Sequence, residues 1–229
     1  MAARRYFGAE LFKFFEELEH NNNRNWFLAN KSRYENDVRE PMLAFIAGFA
    51  PHLRKLSRHF VADPRPSGGS LIRIYRDVRF SPNKLPYKTH VSAHFTHFRE
   101  RDMHSPGFYL HLEPEGVFAA AGIWRPEGEA LAQIRNAIVR NPANWRAAIG
   151  APAFKKRFDL GGDSLVRPPK GYDANHPLIA DLKRKDFIAS TNYTRKEACA
   201  GDFLERFAGD CASSAPFMRF LTGATGCPW

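Results

Sequence analysis

The chain has 229 residues, of which 44% are hydrophobic and 14% aromatic, and it carries a formal net charge of +10. This composition predicts a folded protein with a hydrophobic core, and it excludes a disordered tail, a collagen-like repeat or a small disulfide knot. No run of about 18 apolar residues occurs, so we expect no membrane-spanning helix and no membrane partner.

Length and cysteine content limit the class of protein further. At this length we expect a single domain covering residues 1–229. Cys199, Cys211 and Cys227 are odd in number and lack C-x-x-C spacing, which favours a reducing compartment over disulfides or a structural zinc site. Residues 1–7 lack the apolar region of a signal peptide, so we expect a cytoplasmic protein.

The first sixty residues are predicted to form three helices. A stripe at helical spacing predicts a first helix ending near Asn21, and its members are Leu11, Phe12, Phe14, Phe15 and Leu18. A second helix is predicted from about Asn23, and its face consists of Trp26, Asn30, Tyr34 and Val38. Pro41 suits the first turn of a third helix running to Leu56, which we expect Pro51 to kink or break.

Strands are predicted after a Pro- and Gly-rich linker at residues 63–69. Residues 71–80 and 91–97 alternate between apolar and polar side chains, which predicts two strands. Residues 108–113 alternate in the same way, and the Pro-Glu-Gly turn after them predicts a hairpin with residues 117–124.

The rest of the chain mixes helices and one strand. Helices are predicted at residues 126–138, 142–149 and 176–185, a strand at 187–194, and a final helix behind Asp202 that carries Phe203, Leu204 and Phe207. Helices, then antiparallel strands, then mixed elements predict an α+β fold, not a doubly wound parallel sheet. We expect N-terminal helices packed on a mainly antiparallel sheet, with further helices in the C-terminal half.

The positive charge is concentrated in two segments. Residues 73–88 contain five cations and one acid, and residues 140–196 contain twelve cations and five acids. Localised positive charge attracts anionic ligands, although a pair of solvated basic surfaces that keep the protein soluble is an equal alternative. The common phosphate, dinucleotide, serine-hydrolase and zinc-protease motifs are absent, so the sequence identifies no cofactor and leaves enzyme activity open.

Histidines cluster in the predicted sheet. Five of the nine histidines lie within 22 residues, and they are His90, His94, His97, His104 and His111. If their strands pair, His94 and His111 approach one another beside Glu113, which would offer a metal two imidazoles and a carboxylate. Their spacing matches no defined ligand pattern, so histidines that cap loops or lie half exposed are the alternative, and the presence of a metal stays open.

The basic segment at residues 73–88 suggests an anion pocket. If the even-numbered side chains of the first strand pack on helices, the opposite face carries Arg73, Tyr75, Asp77 and Arg79, with Tyr109, His111 and Glu113 on the next strand. Such a face is wet or lines a pocket, because burying unpaired polar groups is costly. Arginine suits phosphate or carboxylate, and Lys84 and Lys88 could close over the ligand. Alternatively, pairs such as Arg73 and Asp77 neutralise each other.

Three motifs carry a resemblance to a known family. They are Asn-Asn-Asn-Arg-Asn-Trp-Phe at 21–27 with Asn-Lys-Ser-Arg-Tyr at 30–34, the 73–80 block with Lys-Leu-Pro-Tyr-Lys at 84–88, and Pro-Gly-Phe-Tyr-Leu-His-Leu at 106–112. On these motifs the chain resembles the bacterial and fungal family called domain of unknown function 2461, over about residues 7–207. The resemblance implies a single cytoplasmic domain, and it implies no reaction and no catalytic residues.

These observations leave four function classes. The first is a binder of, or enzyme acting on, a phosphorylated or carboxylated small molecule. The others are nucleic-acid binding, a metal-dependent hydrolase that uses the histidine cluster, and an interaction or structural domain without chemistry, whose polar sheet face is simply wet. The candidate catalytic residues are His94, His111, Glu113 and Asp77. The candidate ligand-binding residues are Arg73, Tyr75, Arg76, Arg79, Lys84, Lys88 and Tyr109. The oligomeric state does not follow from the sequence.

Overall fold

The computed structural model describes residues 4–99 and 104–229, and within these ranges it has the α+β fold expected from the sequence. The helices are α1 (Ala9–His20), α2 (Arg24–Ala29), α3 (Lys31–Arg33), α4 (Glu40–Leu56), α5 (Gly128–Arg140), α6 (Pro142–Gly150), α7 (Pro152–Arg157), α8 (Ile179–Leu182), α9 (Arg195–Ala198), α10 (Phe203–Ser213) and α11 (Ala215–Ala224). The strands are β1 (Val91–Thr96), β2 (Gly107–Glu113), β3 (Gly116–Ile123), β4 (Asp159–Gly161) and β5 (Phe187–Tyr193). No helix in the described ranges is long and apolar enough to cross a membrane.

The N-terminal helices differ from the prediction at two places. The predicted stripe of α1 is buried, but the second predicted helix is interrupted, since α2 ends at Ala29 and α3 then leads into a π-helical segment at Tyr34–Arg39. The side-chain amide of Asn30 donates to the carbonyl oxygen of Trp26, a local bond that competes with helix continuation. Pro51 was expected to kink or break the third helix, and the break does not occur, since α4 continues through Pro51.

The sheet is antiparallel throughout, with the strand order β1-β2-β3-β5-β4. One face is buried against helices, as Phe95 of β1 packs its ring 4.8 Å from Phe49 of α4 and 5.9 Å from Phe207 of α10. The alternate residues point to the other side, which we call the histidine face. It includes Ser92, His94, Gly107, Tyr109, His111, Glu113, Phe118, Ala120, Gly122, Ile188 and Asn192.

Residues 71–80 do not form the predicted strand. Within the described part of the chain they form only isolated β-bridges, from Leu71 to Ala93 and from Tyr75 to Tyr87. Residues 73–88 instead form an irregular loop, called the basic hairpin below, because Pro82 and Pro86 cannot donate ladder hydrogen bonds. The predicted polar row at 73–79 therefore does not lie in a strand beside β2, whose neighbours are β1 and β3.

The C-terminal half also departs from the prediction in detail. Of residues 176–185, only Ile179–Leu182 is α-helical, and α7, β4, α9 and α11 were not predicted. Asp202 makes no side-chain cap bond to α10 and pairs with Arg206 instead, and α10 is followed by α11, so it is not the final helix. Thr194 and Glu197 form a capping box at α9, a signal that is readable in the sequence.

Candidate functional site

The start of β1 and the end of β2 bring three metal-ligand side chains together. The register pairs Val91 with Leu112, so His90 comes beside Glu113 on the histidine face, one row from His111. One ligand atom of each of these three residues lies within 4.8 Å of the others. Two imidazoles and a carboxylate form the donor set that Zn²⁺ and other divalent transition metals accept.

His111 is the buried centre of this group. Its side chain lies between the rings of His90 and Phe118, with centroids 4.2 and 4.6 Å away. Its Nδ1 is 2.9 Å from the hydroxyl of Tyr109, and its Nε2 is 3.0 Å from Oε2 of Glu113. That carboxylate oxygen is badly aligned for a hydrogen bond, so among the described residues Nε2 is a buried nitrogen without a hydrogen-bond partner.

The electrostatics of His90 favour a neutral imidazole. Burial lowers the pKa of His90 to about 3, and His111, Lys88 and Arg76 contribute in the same direction. Burial also lowers the pKa of Lys88, with a smaller contribution from Arg73. A neutral imidazole keeps a lone pair that can bind a metal ion. Lys88 and Arg76 are close enough to lower the pKa of His90, so positive charge lies next to the three ligand side chains.

A groove continues along the histidine face from this group. Its volume is about 360 Å³, and it is lined by His94, Gly107, Tyr109, Phe118, Ala120, Ala121, Gly122, Trp124 and Ile188. Tyr109 and Phe118 contact His111 as well as lining the groove, so the groove and the three ligand side chains form one continuous surface.

The expected approach of His94 to His111 does not occur. In the observed register His94 lies opposite Tyr109, and Ser92 lies opposite His111. The prediction therefore identified the correct strands but not the histidine that joins His111 and Glu113, which is His90, directly before β1. The clustering of histidines was the available signal for His90, and His94 lines the groove instead.

The basic hairpin holds most of the predicted ligand-binding residues, and several of them bond within it. The guanidinium of Arg79 pairs with Asp77 at 2.7 Å in solvent. The ammonium groups of Lys84 and Lys88 donate to the carbonyl oxygens of Val78 and Arg73, each at 2.9 Å.

The other predicted residues divide between surface and site. Tyr75 is exposed on the hairpin, and Arg73 lines a cavity beside α3. Arg76 is close enough to affect His90, and Tyr109 contacts His111. Arg76, Lys88 and Tyr109 are therefore the predicted ligand-binding residues that the structure brings to the His90, His111 and Glu113 group.

The two remaining clustered histidines have backbone contacts. His97 is buried, and its Nε2 lies 3.0 Å from the carbonyl oxygen of Pro228. The Nδ1 of His104 lies 3.1 Å from the carbonyl oxygen of Trp124, and its ring stacks on that indole. These contacts match the alternative reading in which histidines cap loops.

Comparison with known proteins supports one assignment. The family model described as conserved hypothetical protein (DUF2461) matches residues 10–220, a range that contains the whole histidine face. Neither the curated proteins nor the solved structures contain a match to the chain. The matched range covers nearly all of the chain and agrees with the resemblance seen in its motifs. The chain belongs to the DUF2461 family of conserved hypothetical proteins.

Proposed function

We propose that this protein is a divalent-metal-dependent hydrolase that acts on a phosphorylated or carboxylated small molecule. The observation that carries the proposal is the convergence of His90, His111 and Glu113, whose ligand atoms lie within 4.8 Å of one another. Three protein ligands leave coordination positions for water and substrate, which is the arrangement of catalytic metal sites.

The hydrogen bonding of His111 supports a metal at Nε2. A buried nitrogen without a partner costs about 1–3 kcal/mol, and a metal ion at Nε2 would remove that cost. If Nδ1 donates its proton to the Tyr109 hydroxyl, Nε2 carries the lone pair that a metal needs. Tyr109 would then orient the imidazole of His111, which is the role of residues that hydrogen-bond to metal-binding histidines.

Nearby cations support the anionic substrate. Arg76 and Lys88 act on His90, so an anion bound there is attracted by both side chains and by the metal. A divalent ion held by His90, His111 and Glu113 would lower the pKa of a bound water and polarise the phosphoryl or carbonyl oxygen. Water would then replace the leaving alcohol, which would depart with one of the water's protons.

Calorimetric titration of chelator-treated protein with Mn²⁺ and Zn²⁺ tests the metal site. We expect one ion to bind per chain, and we expect His111→Ala and Glu113→Gln to weaken binding by more than the roughly 10–100-fold typical of outer-sphere changes. His20→Ala is the matched control, since His20 is exposed at the end of α1. Equal metal binding by His111→Ala and the unmodified protein would overturn the site.

Turnover tests the reaction separately. Metal-loaded protein is assayed with a panel of phosphate monoesters and carboxylate esters, and we expect release of the alcohol that a chelator abolishes. Glu113→Gln should lower turnover together with metal affinity. Metal binding without hydrolysis of either ester class would contradict the hydrolase assignment and leave a metal-binding protein.

A second candidate function, nucleic-acid binding, is favoured by the exposure of the basic hairpin. Phe80 is 93% exposed, Tyr75 is 54% exposed, and the side chain of Arg79 is 76% exposed. Exposed rings among cations are typical of surfaces on which single-stranded bases stack. Fluorescence anisotropy with a labelled single-stranded oligonucleotide should show affinity that falls steeply between about 50 and 200 mM salt.

The matched variants of that test are Phe80→Ala and Phe98→Ala. Phe98 is also an exposed phenylalanine, at 44%, but it follows β1 and lies outside the hairpin. Weaker binding by Phe80→Ala alone would support the nucleic-acid function, whereas equal affinities for both variants would exclude stacking by the hairpin.

A further inference from the structure

The floor of the groove is formed by positions that carry little or no side chain. Gly107 and Gly122 face one another across β2 and β3, and Ala120 lies next to them opposite Tyr109. A Cβ at Gly122 would come 2.0 Å from the carbonyl oxygen of Phe187, and a Cβ at Gly107 would come 2.3 Å from Nε2 of His94. Gly122 has no room for a side chain because its obstacle is backbone, whereas at Gly107 the imidazole of His94 lies over the glycine and forms part of the floor.

Aromatic rings bound this floor. Tyr109 and Phe118 stand on the side nearer to His111, and their ring centroids are 5.8 Å apart. Trp124 lines the groove at the end of β3 and is 43% exposed, with the ring of His104 stacked on it at 5.7 Å. A flat floor between ring walls suits a planar ligand, because aromatic pairs gain attraction beyond the burial of their area.

The groove is in line with the proposed metal group. Along β2, Tyr109 lies two residues from His111, a distance of about 7 Å, and Gly107 lies four residues from it, about 13 Å. A molecule lying over Ala120 and Gly122 therefore reaches His111 if its reacting group is about 7–13 Å away from its ring. The groove volume of about 360 Å³ is within the range of small-molecule sites.

We propose that this groove binds the planar aromatic part of an anionic small molecule whose phosphate or carboxylate lies at the His90, His111 and Glu113 group. The proposal rests on the function proposed above and adds the substrate class. Charge complementarity supports this orientation, since Arg76 and Lys88 act on His90 at the metal end, whereas the groove lining is rich in apolar side chains and small residues. A molecule with an aromatic end in the groove and an anionic end beside Arg76 and Lys88 is complementary to both parts of the surface.

Binding of phosphonates tests the proposal, because their carbon–phosphorus bond is not cleaved by ester hydrolysis. The full chain is titrated calorimetrically, with and without Mn²⁺, using naphthylbutylphosphonate, decahydronaphthylbutylphosphonate and butylphosphonate, whose butyl chain separates the ring from the phosphonate. We expect the naphthyl compound to bind about 2- to 10-fold more tightly than the decahydronaphthyl compound, owing to ring stacking. Butylphosphonate should bind most weakly, since it has no ring to place in the groove.

Two variants alter the groove from different sides. Ala120→Leu puts a branched side chain on the floor, and Trp124→Ala removes an exposed wall without disturbing the core. Each should lower the affinity for the naphthyl compound by about tenfold while leaving Mn²⁺ affinity within about twofold. Asn192→Leu is the control, because it adds the same side chain on the same face of the sheet outside the groove lining.

The outcomes separate this proposal from the function on which it rests. Mn²⁺ binding without a preference for the naphthyl compound, or a preference that both groove variants retain, would overturn the aromatic substrate class alone. A groove-dependent preference for the naphthyl compound in a protein that binds no metal would support the groove and overturn the metal-dependent function.

Discussion

Gly122 is the residue whose identity the backbone constrains most directly. Its φ of +134° lies in the region that favours glycine, and an added Cβ would meet the carbonyl oxygen of Phe187 at 2.0 Å. The obstacle is backbone of the paired strand β5, so it cannot turn away as a side chain would. Conformation and space therefore both require glycine at this position.

We expect Gly122→Ala to lower the free energy of unfolding by at least about 3 kcal/mol, since backbone strain and a steric clash add at one site. Urea denaturation followed by circular dichroism measures the change. Gly116→Ala on the same strand is the control, because an added Cβ there meets nothing within 4 Å. The control should change stability by no more than about 1 kcal/mol, and equal losses would refute the steric explanation.

Among the elements, the basic hairpin is held to the helical layer partly by the side chain of Asn22, which forms two hydrogen bonds with the hairpin backbone. The amide nitrogen of Asn22 donates to the carbonyl oxygen of Tyr87 at 3.0 Å, and the backbone N–H of Tyr87 donates to Asn22 Oδ1 at 3.1 Å. The ring of Tyr87 also stacks on Phe27 of α2, with centroids 4.1 Å apart. Asn22 thus positions the hairpin one residue before Lys88, which acts on His90.

We expect Asn22→Ala to loosen the hairpin without unfolding the protein. Two backbone groups of Tyr87 lose their partner, at a cost of about 1–3 kcal/mol, so the amides of Arg76 and Lys88 should exchange about 10–100-fold faster with deuterium. Hydrogen exchange read by NMR measures this rate. Asn21→Ala is the matched control, since within the described residues the side chain of Asn21 bonds only to the nearby carbonyl oxygen of Glu17. Equal exchange in both variants would contradict the role of Asn22.

Local sequence patterns correctly predicted the elements that bury one face against the core. The stripe of α1 and the alternation of β1, β2 and β3 follow from burial of one face, so their periods are visible. The alternation of residues 71–80 gave the same signal, but Phe80 is 93% exposed, since none of the described elements packs on the end of the hairpin. An apolar–polar alternation shows that a segment could bury one face, but it does not show whether another element is there to cover that face.

The candidate site was predicted in composition and missed in detail, for a related reason. Histidines, Tyr109 and Glu113 were expected on one sheet face, and they are there. In the observed register His90 and His94 each lie two residues from Ser92, which is opposite His111, and of the two it is the ring of His90 that packs against His111, at 4.2 Å. The spacing of the histidines does not show which of the two diagonal neighbours makes this contact. The Asn22 contact joins residues 65 positions apart, so no local motif records it.

For the molecule as a whole, a buried carboxylate joins the C-terminal helices to the sheet. Asp210 of α10 accepts two hydrogen bonds from Arg157 of α7, both at 2.7 Å, and one from the hydroxyl of Tyr193 of β5 at 2.5 Å. Burial and the bond to Asp210 raise the pKa of Tyr193, so the tyrosine keeps the proton that it donates. Three elements therefore depend on one negative charge.

We expect Asp210→Asn to reduce global stability, because it keeps the size of the side chain and removes the charge that Arg157 and Tyr193 need. Removing one partner of a buried pair costs about 3–5 kcal/mol, and we expect about 3 kcal/mol because the side chain of Arg157 is 38% exposed and water can reach it. For a chain of this size the melting temperature should then fall by about 6–12 °C, measured by calorimetry. Asp202→Asn, which breaks an exposed pair with Arg206, should lower it much less, and equal shifts would show that the network does not connect the helices to the sheet.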